Sequence, residues 1–80
     1  MNWEEFIDRY INNFEEFVFK YKDYKLELLY APKGEGFTYY LILNKKIIET
    51  NTFNSPLELL QALKIENQTL EEIWYELEWR

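Results

Sequence analysis

Lys25-Leu26-Glu27-Leu28-Leu29-Tyr30-Ala31-Pro32-Lys33-Gly34-Glu35-Gly36-Phe37-Thr38-Tyr39-Tyr40-Leu41-Ile42-Leu43-Asn44-Lys45-Lys46-Ile47-Ile48-Glu49-Thr50 reads as three strands joined by two turns. The first run alternates, with Leu26, Leu28 and Tyr30 on one face of an extended chain. Residues 32–36 hold a proline and both glycines of the sequence, the composition of a hairpin loop. Residues 37–43 are rich in aromatic and β-favouring side chains, and Asn44-Lys45 makes a tight turn into Lys46-Ile47-Ile48-Glu49-Thr50. Connections this short favour an antiparallel meander with the second of these strands in the middle.

On the N-terminal side, Trp3, Phe6, Ile7, Tyr10, Ile11, Phe14, Phe17, Val18 and Tyr21 recur at helical spacing. That periodicity predicts an amphipathic helix over 3–21, capped by Asn2 with Glu5 three residues on. On the C-terminal side, Ser55-Pro56-Leu57-Glu58 has the residues of a helix start, and the helix is expected to run to about Leu63. Thr69-Leu70-Glu71-Glu72 repeats that grammar and predicts a last helix with Leu70, Ile73, Trp74 and Leu77 as its apolar stripe. Residues 64–68 form the bend between the two, with Ile65 anchored in the core. The expected fold is α+β in the order α-β-β-β-α-α, a three-stranded antiparallel meander packed against helices, and residues 1–80 make one domain.

The middle strand is apolar on both sides. Phe37, Tyr39, Leu41 and Leu43 share one face and Thr38, Tyr40 and Ile42 the other, flanked by Leu29 and by Ile47 or Ile48, whichever points that way. Three helices would have difficulty covering both faces of the sheet, so an apolar strip formed by Leu29, Tyr40 and Ile42 is a candidate partner surface. Two plainer arrangements compete with it: a terminal helix folded over the strip, or Tyr40 lying flat on a solvated sheet.

Composition excludes most chemistry. The 80 residues contain no cysteine and no histidine, which removes disulfide frameworks, zinc fingers, thiol nucleophiles and any Ser-His-Asp triad. Stability must come from packing, for which 20% aromatic residues are available. The single serine, Ser55, is taken up as a helix cap. Neighbouring carboxylates such as Glu71-Glu72 diverge by about 100° on a helix and cannot share a proton. Glu72 with Glu76, and Glu5 with Asp8, share a face but lack the pattern of a calcium loop. No phosphate-binding glycine loop is present, and an enzyme, a cofactor or a metal site is not expected. The acidic start of the chain and the absence of a long apolar run predict neither a secretory signal nor a membrane span, and with no cysteine a cytoplasmic location is expected.

The net charge of −6 is unevenly spread, with −4 over residues 1–19, +2 over 20–50 and −4 over 51–80. Duplex nucleic acid is therefore not an expected ligand, since phosphate binding needs clustered positive charge. Lys20-Tyr21-Lys22-Asp23-Tyr24-Lys25 interleaves basic and aromatic residues, as single-strand binders do, but Asp23 interrupts it and helix-end lysines account for it equally well. If the two ends of the chain lie side by side, Glu4, Glu5, Asp8, Glu15, Glu16, Glu71, Glu72, Glu76 and Glu78 would present a broad negative surface. Such a surface could imitate a nucleic acid toward a basic protein, or it could simply keep an aromatic-rich domain soluble. Glu71, Glu72 and Glu76 are its candidate residues.

The run Phe53-Asn54-Ser55-Pro56-Leu57-Glu58-Leu59-Leu60, followed by Lys64-Ile65 and Thr69-Leu70-Glu71-Glu72-Ile73-Trp74, lies behind the meander. Over residues 25–78 this arrangement resembles small uncharacterised prophage and genomic-island proteins of low-GC Gram-positive bacteria. The resemblance implies a fold and a genomic setting rather than an activity. Small acidic phage-borne proteins include anti-CRISPR and other host-takeover inhibitors. The sequence thus leads to a non-enzymatic protein-interaction module whose protein partner is unknown. The alternatives are an acidic nucleic-acid mimic that inhibits a basic host protein, and a structural protein that forms a weak homodimer.

Overall fold

Asn2 caps a helix as its sequence predicts: its side chain accepts from the Glu5 N–H at 2.8 Å, and Glu5 reaches back to the Asn2 N–H. In the computed structural model, which describes residues 2–13, 15–31 and 36–79, that helix is short. It comprises α1 (Trp3–Phe6) and a wider π turn over Ile7–Ile11. The helix predicted over 3–21 is thus corrected to 3–11. Asn13 shows how it closes, because its side-chain amide donates to the Arg9 carbonyl at 2.7 Å. That oxygen would accept the next backbone bond of a continuing helix, and asparagine is prone to this competition.

Beyond the break the chain becomes extended. Residues Phe17–Tyr21 form strand β1, with Phe17, Phe19 and Tyr21 buried and Val18 and Lys20 half-buried between them. The sheet continues as β2 (Tyr24–Ala31), β3 (Gly36–Leu43) and β4 (Lys46–Phe53), each antiparallel to the one before. The expected three-stranded meander is therefore a four-stranded one. The loop predicted over 32–36 lies outside the described residues apart from Gly36.

α2 (Pro56–Ala62) follows, with the Ser55 hydroxyl accepting from the Leu57 N–H at 3.2 Å and proline in the first turn. The expected bend at 64–68 is a small hairpin, β5 (Lys64–Ile65) with β6 (Gln68–Thr69), and Ile65 is buried in the core as its sequence position suggests.

The helix predicted from Thr69 does not form. Its capping bonds do: the Thr69 N–H donates to Glu72 at 2.9 Å and the Glu72 N–H to the Thr69 hydroxyl at 3.3 Å. The chain then runs through turns into one 3₁₀ turn, Trp74–Glu76. It ends extended as β7 (Glu78–Trp79), which pairs with the outer edge of β1. Pairing there satisfies backbone groups that a terminal helix would leave open.

The sheet order is β4-β3-β2-β1-β7, and one face carries the core. Phe17, Phe19, Leu26, Leu28, Tyr39 and Leu41 on that face meet Phe6 from α1, Leu59, Leu60 and Leu63 from around α2, and Ile65, Leu70, Ile73 and Trp74 from the C-terminal segment. Phe6 sits at the centre, with ring centroids 4.8 Å from Phe17, 5.6 Å from Phe19 and 4.7 Å from Trp74. Among the described residues, α1, α2 and the C-terminal segment with its 3₁₀ turn thus belong to one layer, on one side of the main sheet.

Candidate functional site

The face of the sheet turned away from that layer is built by strand register. Directly opposed residues share a face, so Val18, Glu27, Tyr40 and Thr50 form one row across it. Lys20, Lys25, Ile42 and Ile47 form the next, and Leu29, Thr38 and Thr52 the one on the other side. Leu29, Tyr40 and Ile42 therefore do lie together, each half-buried, with no described helix over them. Ile47 extends the strip and is 58% exposed.

Polar neighbours tie this face together. The Thr38 and Thr52 hydroxyls are 2.8 Å apart and hydrogen-bonded, and Lys25 lies 3.8 Å from Glu27. At one end Lys20, Tyr24, Lys25, Ile42 and Lys45 surround an open hollow whose acidic member is Asp23. Beside it, Lys22 bonds to Glu66 at 2.9 Å, joining the β1–β2 turn to the β5–β6 turn. That hydrogen bond, with a contribution from Tyr21, raises the Lys22 amine above its ordinary value.

Glu71, Glu72 and Glu76 stand elsewhere. They belong to the C-terminal segment in the layer that covers the opposite side of the sheet. The two halves of the candidate surface are therefore separate surfaces. All three carboxylates are exposed, but Glu72 is engaged with Thr69, whose backbone N–H holds its carboxyl below the usual carboxylate range. Glu15 and Glu16 precede β1 rather than lying on a helix, and Glu16 accepts weakly from the Tyr30 N–H at 3.4 Å.

Two ends of the chain do come together. Trp3 meets Trp74 at 5.3 Å, which sets Glu4 and Glu5 of α1 beside the segment carrying Glu71, Glu72 and Glu76. The covering layer carries Glu4, Glu5, Asp8, Glu58, Glu66, Glu71, Glu72 and Glu76 against Arg9 and Lys64, whereas the strands and their tight turns carry a lysine excess. The negative charge is concentrated on the covering layer, while the open face sets Lys20 and Lys25 against Glu27 and Glu78, the last lying opposite Lys20.

Of the two flanking isoleucines that the sequence offers, the register selects Ile47; sequence reasoning missed Val18 and Lys20 on the open face, and the exposed apolar residues of the covering layer, Leu57 and Tyr75. The signal for the first two was present in the alternation of Phe17, Phe19 and Tyr21. Among the described residues no group of three or more acidic side chains could hold a metal ion, and no helix is long and apolar enough to cross a membrane. Comparison with known protein families, curated proteins and solved structures finds no match to this chain.

Proposed function

We propose that the chain is a non-enzymatic protein-interaction module. The observation that carries this reading is the open face of the sheet, where Leu29, Tyr40 and Ile42 continue into the exposed Ile47 with no described element over them. A one-sided sheet normally turns polar residues to water, and a contiguous apolar strip on such a face is a feature of interaction surfaces. A phage or mobile-element origin rests on the resemblance of residues 25–78 alone.

The test is capture from a lysate of the source organism at low salt, with a Tyr40→Lys/Ile42→Lys variant as comparator. A stoichiometric partner lost by the variant is the expected result. Recovery of no partner, or of one that the variant retains equally, sinks the assignment of this face.

A second reading, an acidic nucleic-acid mimic directed at a basic protein, is favoured by the Trp3–Trp74 contact that brings the acidic ends of the chain together. Charge reversal at Glu71, Glu72 and Glu76 should then release nucleic acid competition for the partner, and unchanged competition rejects it. A third, a weak homodimer through the strip at Leu29, Tyr40 and Ile42, is favoured by the outer edge of β4, which pairs with no further strand among the described residues, and sedimentation across a concentration series decides it.

A further inference from the structure

We propose that the groove between α1 and α2, on the side opposite the open sheet face, receives a basic amphipathic helix from another protein; the inference rests on the interaction-module reading and names the chemistry of a partner. Its walls come from three parts of the chain. Trp3 and Ile7 form one side, Leu57, Leu60 and Gln61 the other, and Glu71 closes one end. The opening encloses about 590 Å³ out to solvent.

The apolar part of this groove exceeds what folding requires. Leu60 is buried and forms the floor, but Leu57 is 52% exposed although it sits in the first turn of α2, beside the capped end. Trp3 is half-buried, held by edge contact with Trp74 and by Phe6 at 5.4 Å, so its ring is rigidly presented. A fixed aromatic wall, an exposed leucine and a leucine floor at one place match the anchors of helix-in-groove recognition, in which apolar side chains at i, i+3 and i+4 enter a cleft.

Charge complementarity selects the partner. Glu71 lines the groove, Glu4 and Glu58 lie on the two helices that flank it, and none of the three is in an ion pair among the described residues. The net charge of −6 adds a field that attracts cations toward the same side, where the acidic residues are concentrated. An acidic or neutral helix would have to approach against that field, whereas a helix with lysines flanking its apolar stripe gains from it. The open sheet face of a second copy carries Glu27 and Glu78 beside Lys20 and Lys25, and it offers a pleated surface with no ridge to fill a cleft.

The experiment uses the whole chain and a synthetic peptide of about fifteen residues, with leucines on one helical face and lysines elsewhere. Binding is followed by tryptophan emission, since Trp3 lines the groove and the peptide has none. Saturable one-to-one binding is expected, weakened by salt. Leu57→Ser and Glu71→Lys should each weaken it, the first by about tenfold, as for loss of one interfacial anchor. A peptide of the same composition with its leucines scattered around the helix should bind at least about tenfold more weakly. Equal binding of the scattered peptide, or binding unchanged in Leu57→Ser, overturns the groove, as does no binding at all. Both substituted residues are exposed, and circular dichroism of each variant verifies its fold. A cellular partner that is retained by Leu57→Ser but lost by Tyr40→Lys would overturn the groove and leave the module reading standing. If no cellular partner is captured, the module reading fails while the peptide titration still decides the groove.

Discussion

Trp3 stands edge-on to Trp74, with ring centroids 5.3 Å apart and planes at 78°, so that the first helix and the last turn share one aromatic cluster. Trp74 is buried and also meets Phe6 and Phe19, whereas Trp3 lies at the margin. Trp74→Ala should therefore cost about 3–5 kcal/mol, a large part of the roughly 4–12 kcal/mol available to a domain of this length. Trp3→Ala should cost clearly less, about 1–2 kcal/mol, because part of its ring already faces water. Urea unfolding of the two variants checks this, and equal losses would contradict the placement of Trp3.

Tyr39 is buried and donates its hydroxyl to Glu49 at 2.8 Å. Burial, with the neighbouring carboxylate, pushes its ionisation from 10.0 up to about 12. A group raised in the folded state stabilises fully below its unfolded value and loses that contribution as pH rises through the folded one. Stability should thus fall across this alkaline window, and Tyr39→Phe should show a shallower fall over the same range in denaturant titrations.

The Thr69–Glu72 capping bonds survive without a following helix. The Glu72 carboxyl is depressed chiefly by the Thr69 backbone N–H, so its contribution is present above the ordinary carboxylate value and is lost as pH falls through the depressed one. Glu72→Ala should lower the melting temperature at neutral pH and shrink the further loss on acidification. Parallel acid profiles for the two proteins would count against this.

Gly36 has φ +94, and a Cβ there would press on the Phe53 carbonyl across the β3–β4 pair. Gly36→Ala should cost about 2 kcal/mol or more. Lys45, by contrast, occupies a left-handed position at φ 64 with open surroundings in the β3–β4 turn. Lys45→Gly should stabilise by about 0.5–1 kcal/mol, since the preceding Asn44 makes an Asn-Gly turn. Chemical denaturation of both variants measures the two opposite signs.

The open face predicts tolerance. Ile47→Lys should change stability by no more than about 0.5 kcal/mol, whereas Leu26→Ala on the opposite face should cost about 2–5 kcal/mol. A large loss in Ile47→Lys would mean that the strip is covered in solution, which concentration-dependent sedimentation would then reveal as self-association.

How much of this is legible in the residues depends on whether local and tertiary demands agree. The three strands from Tyr24 to Phe53 and the helix behind Ser55-Pro56 have alternation, turns and caps that point the same way, so the sequence alone determines them. The absence of histidine and cysteine, and the acidity of both ends, are likewise properties of the sequence itself.

Residues 17–21 satisfy two periods at once. Phe17, Val18 and Tyr21 suit a helical face, and Phe17, Phe19 and Tyr21 suit a strand face. The outer edge of β2 decides between them, because its backbone groups need a partner and β1 supplies one over five residue pairs. The C-terminal stretch is settled similarly: Leu70, Ile73 and Trp74 reach the core through turns, and residues 78–79 close the edge of β1. The candidate surface follows the same logic. The sequence by itself marks Leu29, Tyr40, Ile42 and the three glutamates as unusual. Only the tertiary structure places the first three on the open face and the last three in the covering layer, because which side of the sheet the helices occupy depends on contacts between residues as distant in the chain as Phe6 and Trp74.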